Sequence, residues 1–202
     1  MKNEKLKIKN DFRTEVSAGC VVFKKSIINH QSSAILFALG KHSGYHKWVL
    51  PKGLVEKGEN KLQAAVRETE EELGIKVKII DEKPVYAAKY NYWAELKRNN
   101  SNIQTPNSKQ VQNSKLENQN ESTRRVKRYQ ESFDSALDKS GGGKTKIAKT
   151  VYFYLGEYLS GDIAKHGWEM EDAGWFEYEK ALKLMAFNDE KMAVKNTYLL
   201  KK

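Results

Sequence analysis

The chain has 202 residues, with 36 Lys and Arg against 26 Asp and Glu. The resulting formal net charge of +10 favours polyanionic partners (nucleotides, inositol phosphates, nucleic acid, anionic membrane surfaces) without choosing among them. A single cysteine, Cys20, excludes an intrachain disulfide and a cysteine metal cluster.

Hydrophobic residues make up 39% of the chain and mean hydropathy is −0.74. That balance predicts one well-buried domain carrying an additional solvated segment. Residues 1–14 are polar and read as an N-terminal arm without the apolar core of a signal peptide. No run approaches the roughly 18 apolar residues that a membrane helix needs, so the expectation is a cytoplasmic protein without a membrane partner.

From Glu15 to Phe23 the chain becomes apolar and β-branched, the pattern of a buried strand, with Cys20 as a small core residue. The polar stretch Lys24 to Ser33 reads as a loop, and Ala34 to Leu39 as a second strand. A Gly- and His-containing loop over 40–46 follows, then a short apolar approach, Lys47 to Leu50, to Pro51. Lys61 to Leu73 is the clearest helix: Leu62, Ala65, Val66 and Leu73 form an apolar stripe, and Gly74 supplies the terminator. Residues Val77 to Tyr92, punctuated by Pro84, predict one or two strands.

Residues 97–147 break the pattern. Asn- and Gln-rich tracts there cannot build a core, and eleven basic against five acidic side chains leave a surplus of six charges in this insertion. Strand character resumes at Thr150 to Leu155 and again at Trp175-Phe176, while Glu179 to Met185 and Asp189 to Leu200 read as helices. The organisation predicted is therefore a single mixed α/β domain over 15–202, interrupted by a low-complexity insertion at 97–147.

Glu68, Glu71 and Glu72 fall at i, i+3 and i+4 of the central helix, which stacks three carboxylates on one face. Such like charges repel, and a hard divalent cation, Mg²⁺ or Mn²⁺, offsets the repulsion through oxygen ligation. A solvated acidic face is the alternative reading of Glu70-Glu71-Glu72 taken alone. Upstream, Lys52 to Glu59 reads as a glycine-punctuated loop that lets backbone approach a ligand closely, and Arg67 can fix a neighbouring carboxylate through a charge-assisted bond.

The segment Gly53 to Ile75 resembles a complete Nudix box. Gly53, Glu59, Arg67, Glu68, Glu71, Glu72, Gly74 and Ile75 all occupy its positions, and Thr69 is the one departure, at an apolar place. The flanks Ser17-Ala18-Gly19, Trp48 to Gly53 and Trp175-Phe176 are similar to the family as well. The resemblance implies an α/β/α sandwich with a mixed sheet, and metal-dependent hydrolysis of a phosphoanhydride in a nucleoside diphosphate linked to another group. It implies metal ligation by Glu68, Glu71, Glu72 and the Gly53 carbonyl, and a glutamate base either among these or on a later loop, where Glu169 and Glu171 compete. Lys52 is placed to meet phosphate oxygens, with a plain surface lysine as the alternative.

The lead-in Trp48 to Gly53 looks like the diadenosine polyphosphate and diphosphoinositol polyphosphate branches. The basic insertion keeps open a second reading, pyrophosphate or cap removal from an RNA 5′ end. A noncatalytic nucleotide- or RNA-binding module is a third, although it predicts damaged carboxylates and Glu68, Glu71 and Glu72 are all intact.

Three other signals carry less. Ser140 to Thr145 resembles the end of a phosphate-binding P-loop but has Asp138 where a glycine is required. Arg124 to Tyr129 reads as a solvated charge run. His30, His42, His46 and His166 show no ligand spacing, and Trp48, Trp93, Trp168 and Tyr92 divide between stacking and core roles. The sequence sets no oligomeric state.

Overall fold

The structure, a computed structural model, describes residues 12–29, 32–95 and 144–201. Arg124 to Tyr129, His30, most of the 97–147 insertion and the arm up to residue 11 lie outside the described residues. The chain divides into two compact units, Met1–Arg13 with Asn91–Ala148, and Thr14–Tyr90 with Lys149–Lys202. In the first unit the described residues are strand ends, with Ala94, Thr145 and Ile147 buried. Every candidate site residue belongs to the second.

The strands are β1 (Phe12–Asn29), β2 (Ser32–His42), β3 (Lys47–Val49), β4 (Lys52–Leu54), β5 (Ile75–Ile79), β6 (Tyr86–Glu95), β7 (Lys144–Gly161) and β8 (Met170–Glu177). The helices are α1 (Lys61–Leu73), α2 (Tyr178–Leu184) and α3 (Asn188–Lys201), with a 3₁₀ turn at Ile163–Lys165. The sheet runs β3-β2-β1-β7-β5, with β4 beside β1, β6 beside β7 and β8 beside β2.

Strand alternation builds two cores. In β1, Ala18, Cys20 and Val22 face one side, where they meet Ala64, Ala65 and Leu73 of α1. Val21 and Phe23 face the other and meet Ala181 of α2 with Ala193 and Val194 of α3. Phe37 and Leu39 of β2, and Val151, Phe153 and Leu155 of β7, repeat the second set, while Ala38 and Tyr154 join the first. A period of two on a sheet covered on both faces gives helix, sheet, helix. This is the α/β/α sandwich expected from the resemblance.

Several strands are longer than the sequence pattern indicates. The polar stretch after Phe23 stays in β1, and its register with β2 pairs Lys24 with Leu36, Lys25 with Ile35 and Ile27 with Ser33. Backbone pairing sustains this hairpin where side-chain burial does not, which explains the missing hydrophobic signal. For the same reason β2 continues through Gly40 and Lys41 to His42, and β8 extends back from Trp175-Phe176 to Met170 by pairing along β2. β7 opens at Lys144, so Lys144-Thr145 of the P-loop-like segment begin a strand. Lys52-Gly53-Leu54, expected as loop, pairs with Gly19-Ala18-Ser17.

Cys20 is fully buried, its thiol 3.5 Å from the Ala65 carbonyl, and burial pushes its pKa from 9.0 up to about 11. The folded state thus favours the protonated thiol, a stability contribution lost as pH rises from about 9 to about 11. Native protein at pH 8 will resist iodoacetamide, and denatured protein will label within minutes; rapid native labelling, read by intact mass, would contradict the buried placement. Among the described residues no helix is long and apolar enough to cross a membrane.

Candidate active site

Helix α1 is bounded at both ends by its own sequence. The Asn60 side chain accepts from the Gln63 amide at 2.9 Å while the Gln63 side chain accepts from the Asn60 amide at 2.8 Å, a reciprocal cap. At the other end Gly74 adopts φ 67 and donates to the Glu70 carbonyl, a left-handed turn that favours glycine. The helix therefore starts and stops where Glu68, Glu71 and Glu72 share the end nearest β4. Thr69, the departure from the family pattern, is fully buried and bonds the Ala65 carbonyl at 2.7 Å. Its hydroxyl is satisfied within the helix, so a polar residue is tolerated at an apolar position.

Arg67 organises the acidic side chains with all of its N–H groups. Nε and Nη2 grip the two Glu59 oxygens at 3.1 and 2.7 Å, Nη1 donates to Glu68 at 2.8 Å and Glu71 at 3.0 Å, and Nη2 also donates to the Leu54 carbonyl at 3.0 Å. The Arg67 hydrogen bonds hold Glu59 below its ordinary pKa. A lysine has no planar fork to span these acceptors. Arg67→Lys should lower kcat by about 10- to 100-fold, as supporting residues of ligand shells commonly do. Steady-state kinetics check this, and a variant within twofold of wild type would remove Arg67 from the site.

Glu68 and Glu72 sit inward, with Glu72 only 6% exposed. Burial is the main influence raising both, and takes Glu72 up to about 8 against the opposing pull of Lys52. Glu169 adds repulsion to both carboxylates, which places its charge in the same neighbourhood. Its loop is tied to α1, since the Gly167 amide donates to the Glu72 carbonyl at 3.1 Å and Met170 N–H returns to Gly167 at 3.0 Å. Glu171, the rival, is engaged elsewhere, by Lys41 at 2.6 Å and by His46.

Gly53 lies directly against Glu68: a Cβ there would stand 2.0 Å from that carboxyl. Lys52 donates its amide to Glu72 Oε2 at 2.9 Å. Its ammonium is turned away from solvent, 2.9 Å from Glu190 Oε1 and 3.3 Å from the Leu50 carbonyl. Burial alone would depress Lys52, and Glu190, Tyr45 and Glu72 more than reverse that, holding it above the ordinary lysine value.

All-oxygen donors gathered this closely suit a hard divalent cation, with Arg67 already offsetting part of their repulsion. Among the described residues no group of three or more His, Cys, Asp and Glu side chains is already gathered around a common ion position. The donor chemistry fits the metal: Arg67 bonds Glu68 through Oε1 and Glu71 through Oε2, and each carboxylate has a second oxygen to offer.

Two further charged groups stand here that the sequence pattern does not single out. Glu190 is 3% exposed on α3, but Asp189-Glu190 at a helix start looks like ordinary first-turn acid. Lys149 is 8% exposed on β7, 3.6 Å from Glu15, and burial pushes it below the ordinary lysine value. In sequence it reads as one more lysine after Lys144 and Lys146 of the insertion. Trp48 is partly buried, edge-on to Phe176 at 4.9 Å. Trp168, beside Glu169, is 77% exposed.

Comparison with known proteins bears on the family and the fold. The NUDIX domain family model matches residues 13–124, just over half of the chain. The asymmetrical bis(5′-nucleosyl)-tetraphosphatase of Sus scrofa is 46% identical over 61 residues, 29% of this chain and 42% of the relative. That of Mus musculus is 37% identical over 83 residues, 40% and 56% respectively, so the chain spans about half the length of the curated relatives it matches. Among solved structures, the C. elegans Ap4A hydrolase aligns over 94% of this chain and 99% of its own, with TM-score 0.52 and 18% identity. A NUDIX hydrolase from Nitrosomonas europaea aligns over 94% and 72%, with TM-score 0.50 and 17% identity. These two likenesses bear on the fold.

Proposed function

This chain belongs to the NUDIX domain family, and from that premise we propose that it is a metal-dependent pyrophosphohydrolase acting on dinucleoside polyphosphates. The observation that carries the reading is the intact acidic face of α1, with Glu68 seated on Gly53, Glu72 on the Lys52 amide, and Arg67 spanning Glu59, Glu68 and Glu71. The curated relatives, both asymmetrical tetraphosphatases by name, support the substrate class.

Phosphoanhydride hydrolysis needs phosphate charge neutralised and a water placed in line with the leaving oxygen. When bound, Mg²⁺ or Mn²⁺ held by the Gly53 carbonyl, Glu68, Glu71 and Glu72 would supply that neutralisation and acidify a water. Arg67 keeps Glu68 and Glu71 oriented for that role. Glu169 accepts the proton as the water oxygen bonds to phosphorus and the bridging P–O bond breaks, its electron pair leaving on the departing phosphate. Glu171 is the weaker candidate because its carboxylate is directed to Lys41 and His46, whereas the charge of Glu169 acts on Glu68 and Glu72.

A panel of diadenosine tetraphosphate, a diphosphoinositol polyphosphate and 5′-triphosphorylated RNA, each with Mg²⁺ and with EDTA, tests the reading. The expected preference is for the dinucleotide. Tight binding without release of product would favour a noncatalytic module. The RNA reading rests on the basic insertion. Deleting residues 99–143, which leaves β7 whole, should preserve dinucleotide turnover; if RNA affinity falls with it, the insertion is a polyanion-binding appendage. Placement in the cytoplasm is likewise our proposal.

A further inference from the structure

The geometry points to Glu190 as a positioning residue for the acidic face of α1, acting through the Leu50-Pro51-Lys52 segment. This inference rests on the pyrophosphohydrolase reading above.

Glu190 belongs to α3, on the opposite side of the sheet from α1, and 118 positions beyond Glu72 in the chain. A carboxylate with 3% exposure is unfavourable unless both oxygens are engaged. They are. Oε2 accepts from the Leu50 amide at 2.9 Å and Oε1 from the Lys52 ammonium at 2.9 Å. One side chain therefore grips the segment at both ends of Pro51, which has no N–H of its own to offer.

The Pro51 carbonyl meets the Cys20 amide at 3.3 Å, anchoring the segment to β1. What it presents to the site is the Lys52 N–H, which donates to Glu72 at 2.9 Å, and then Gly53, packed on the Glu68 carboxyl. Glu72 and Glu68 thus take their placement from Lys52 and Gly53, the near end of a segment whose far side is held by Glu190. Without that grip the Lys52 ammonium loses its buried anion and the Leu50 amide its acceptor, and the segment is held only from the β1 side, where slack in its far side lets it shift. A displacement near 1 Å at reacting groups is enough to cost about 100-fold in rate.

Glu190→Gln tests this, since it keeps size and one acceptor oxygen while removing the charge that holds Lys52. The expected result is a fall in kcat of about 10- to 100-fold with KM within about twofold, in protein whose circular dichroism remains native. A merely structural contact would leave kcat per folded molecule unchanged.

A second readout needs no turnover: amide hydrogen exchange at Lys52 and Gly53 by NMR, which should accelerate at least tenfold in the variant while amides of β5 keep their rates. Unchanged kcat in folded variant, or unchanged Lys52 exchange, would overturn the role. Should wild-type protein hydrolyse none of the polyphosphates, the functional reading fails and the exchange measurement still decides whether Glu190 positions Lys52. Glu190→Asp, which retains charge at shorter reach, serves if the glutamine variant does not fold.

Discussion

Glu72→Gln should lower kcat by about three orders of magnitude while leaving the protein at least as stable as wild type. The two halves of that result have different causes. On the proposed mechanism, catalysis needs an anionic oxygen at this place on α1, beside Glu68, to offset the charge of a bound cation, and an amide supplies none. Stability responds to burial. Glu72 is 6% exposed and its pKa rises to about 8, chiefly through desolvation.

The folded protein therefore binds a proton there more tightly than the unfolded chain, whose value is 4.5. In metal-free buffer this contribution to stability is complete below about 4.5 and is lost as pH rises through about 8. Glutamine does not titrate and can still accept the Lys52 N–H. The difference in Tm between variant and wild type should consequently grow in the variant's favour between pH 5 and pH 8.5 in EDTA. Thermal melts across that range, beside kcat at saturating Mg²⁺, measure both effects. A variant that is both active and less stable would mean that Glu72 is a packing residue.

Gly53→Ala separates geometry from charge. The added methyl would stand 2.0 Å from both Cδ and Oε1 of Glu68 and 2.2 Å from its Oε2, far inside contact distance. Gly53 has no positive φ, so alanine meets no backbone strain, and its pairing with Ala18 persists. The carboxyl end of Glu68 is the flexible partner and is the group that moves, breaking its 2.8 Å bond from Arg67. We expect Tm within a few degrees of wild type and kcat down by about 100-fold. A normal rate would show that Glu68 need not occupy this place.

Much of this site is legible in the amino-acid sequence because its parts are local. The spacing of Glu68, Glu71 and Glu72 and the Gly74 terminator lie within one helix and its end, where period and capping chemistry act on neighbours in sequence. The two buried faces of β1 are legible as an unbroken apolar run. By contrast, the β1–β2 hairpin through Lys24 and Lys25, and the acidic start of β8, are held by backbone pairing to distant strands, which leaves no hydrophobic mark on their own residues.

Glu190 and Lys149 are hidden for a related reason. Each is a charged side chain that the fold buries against a partner far away in sequence, and nothing beside Asp189 or Ala148 announces it. Lys52 is visible as a candidate phosphate contact, and the structure places its ammonium on Glu190 instead of in open solvent.

The most direct test is hydrolysis of diadenosine tetraphosphate by wild-type protein and by a Glu71→Ala/Glu72→Ala double variant, each assayed with Mg²⁺ and with EDTA. Release of nucleoside mono- and triphosphate by wild type in Mg²⁺ alone, with the double variant silent in both buffers, is the predicted result. Wild-type rates from the double variant, or turnover indifferent to chelation, would contradict a mechanism built on carboxylate-held metal.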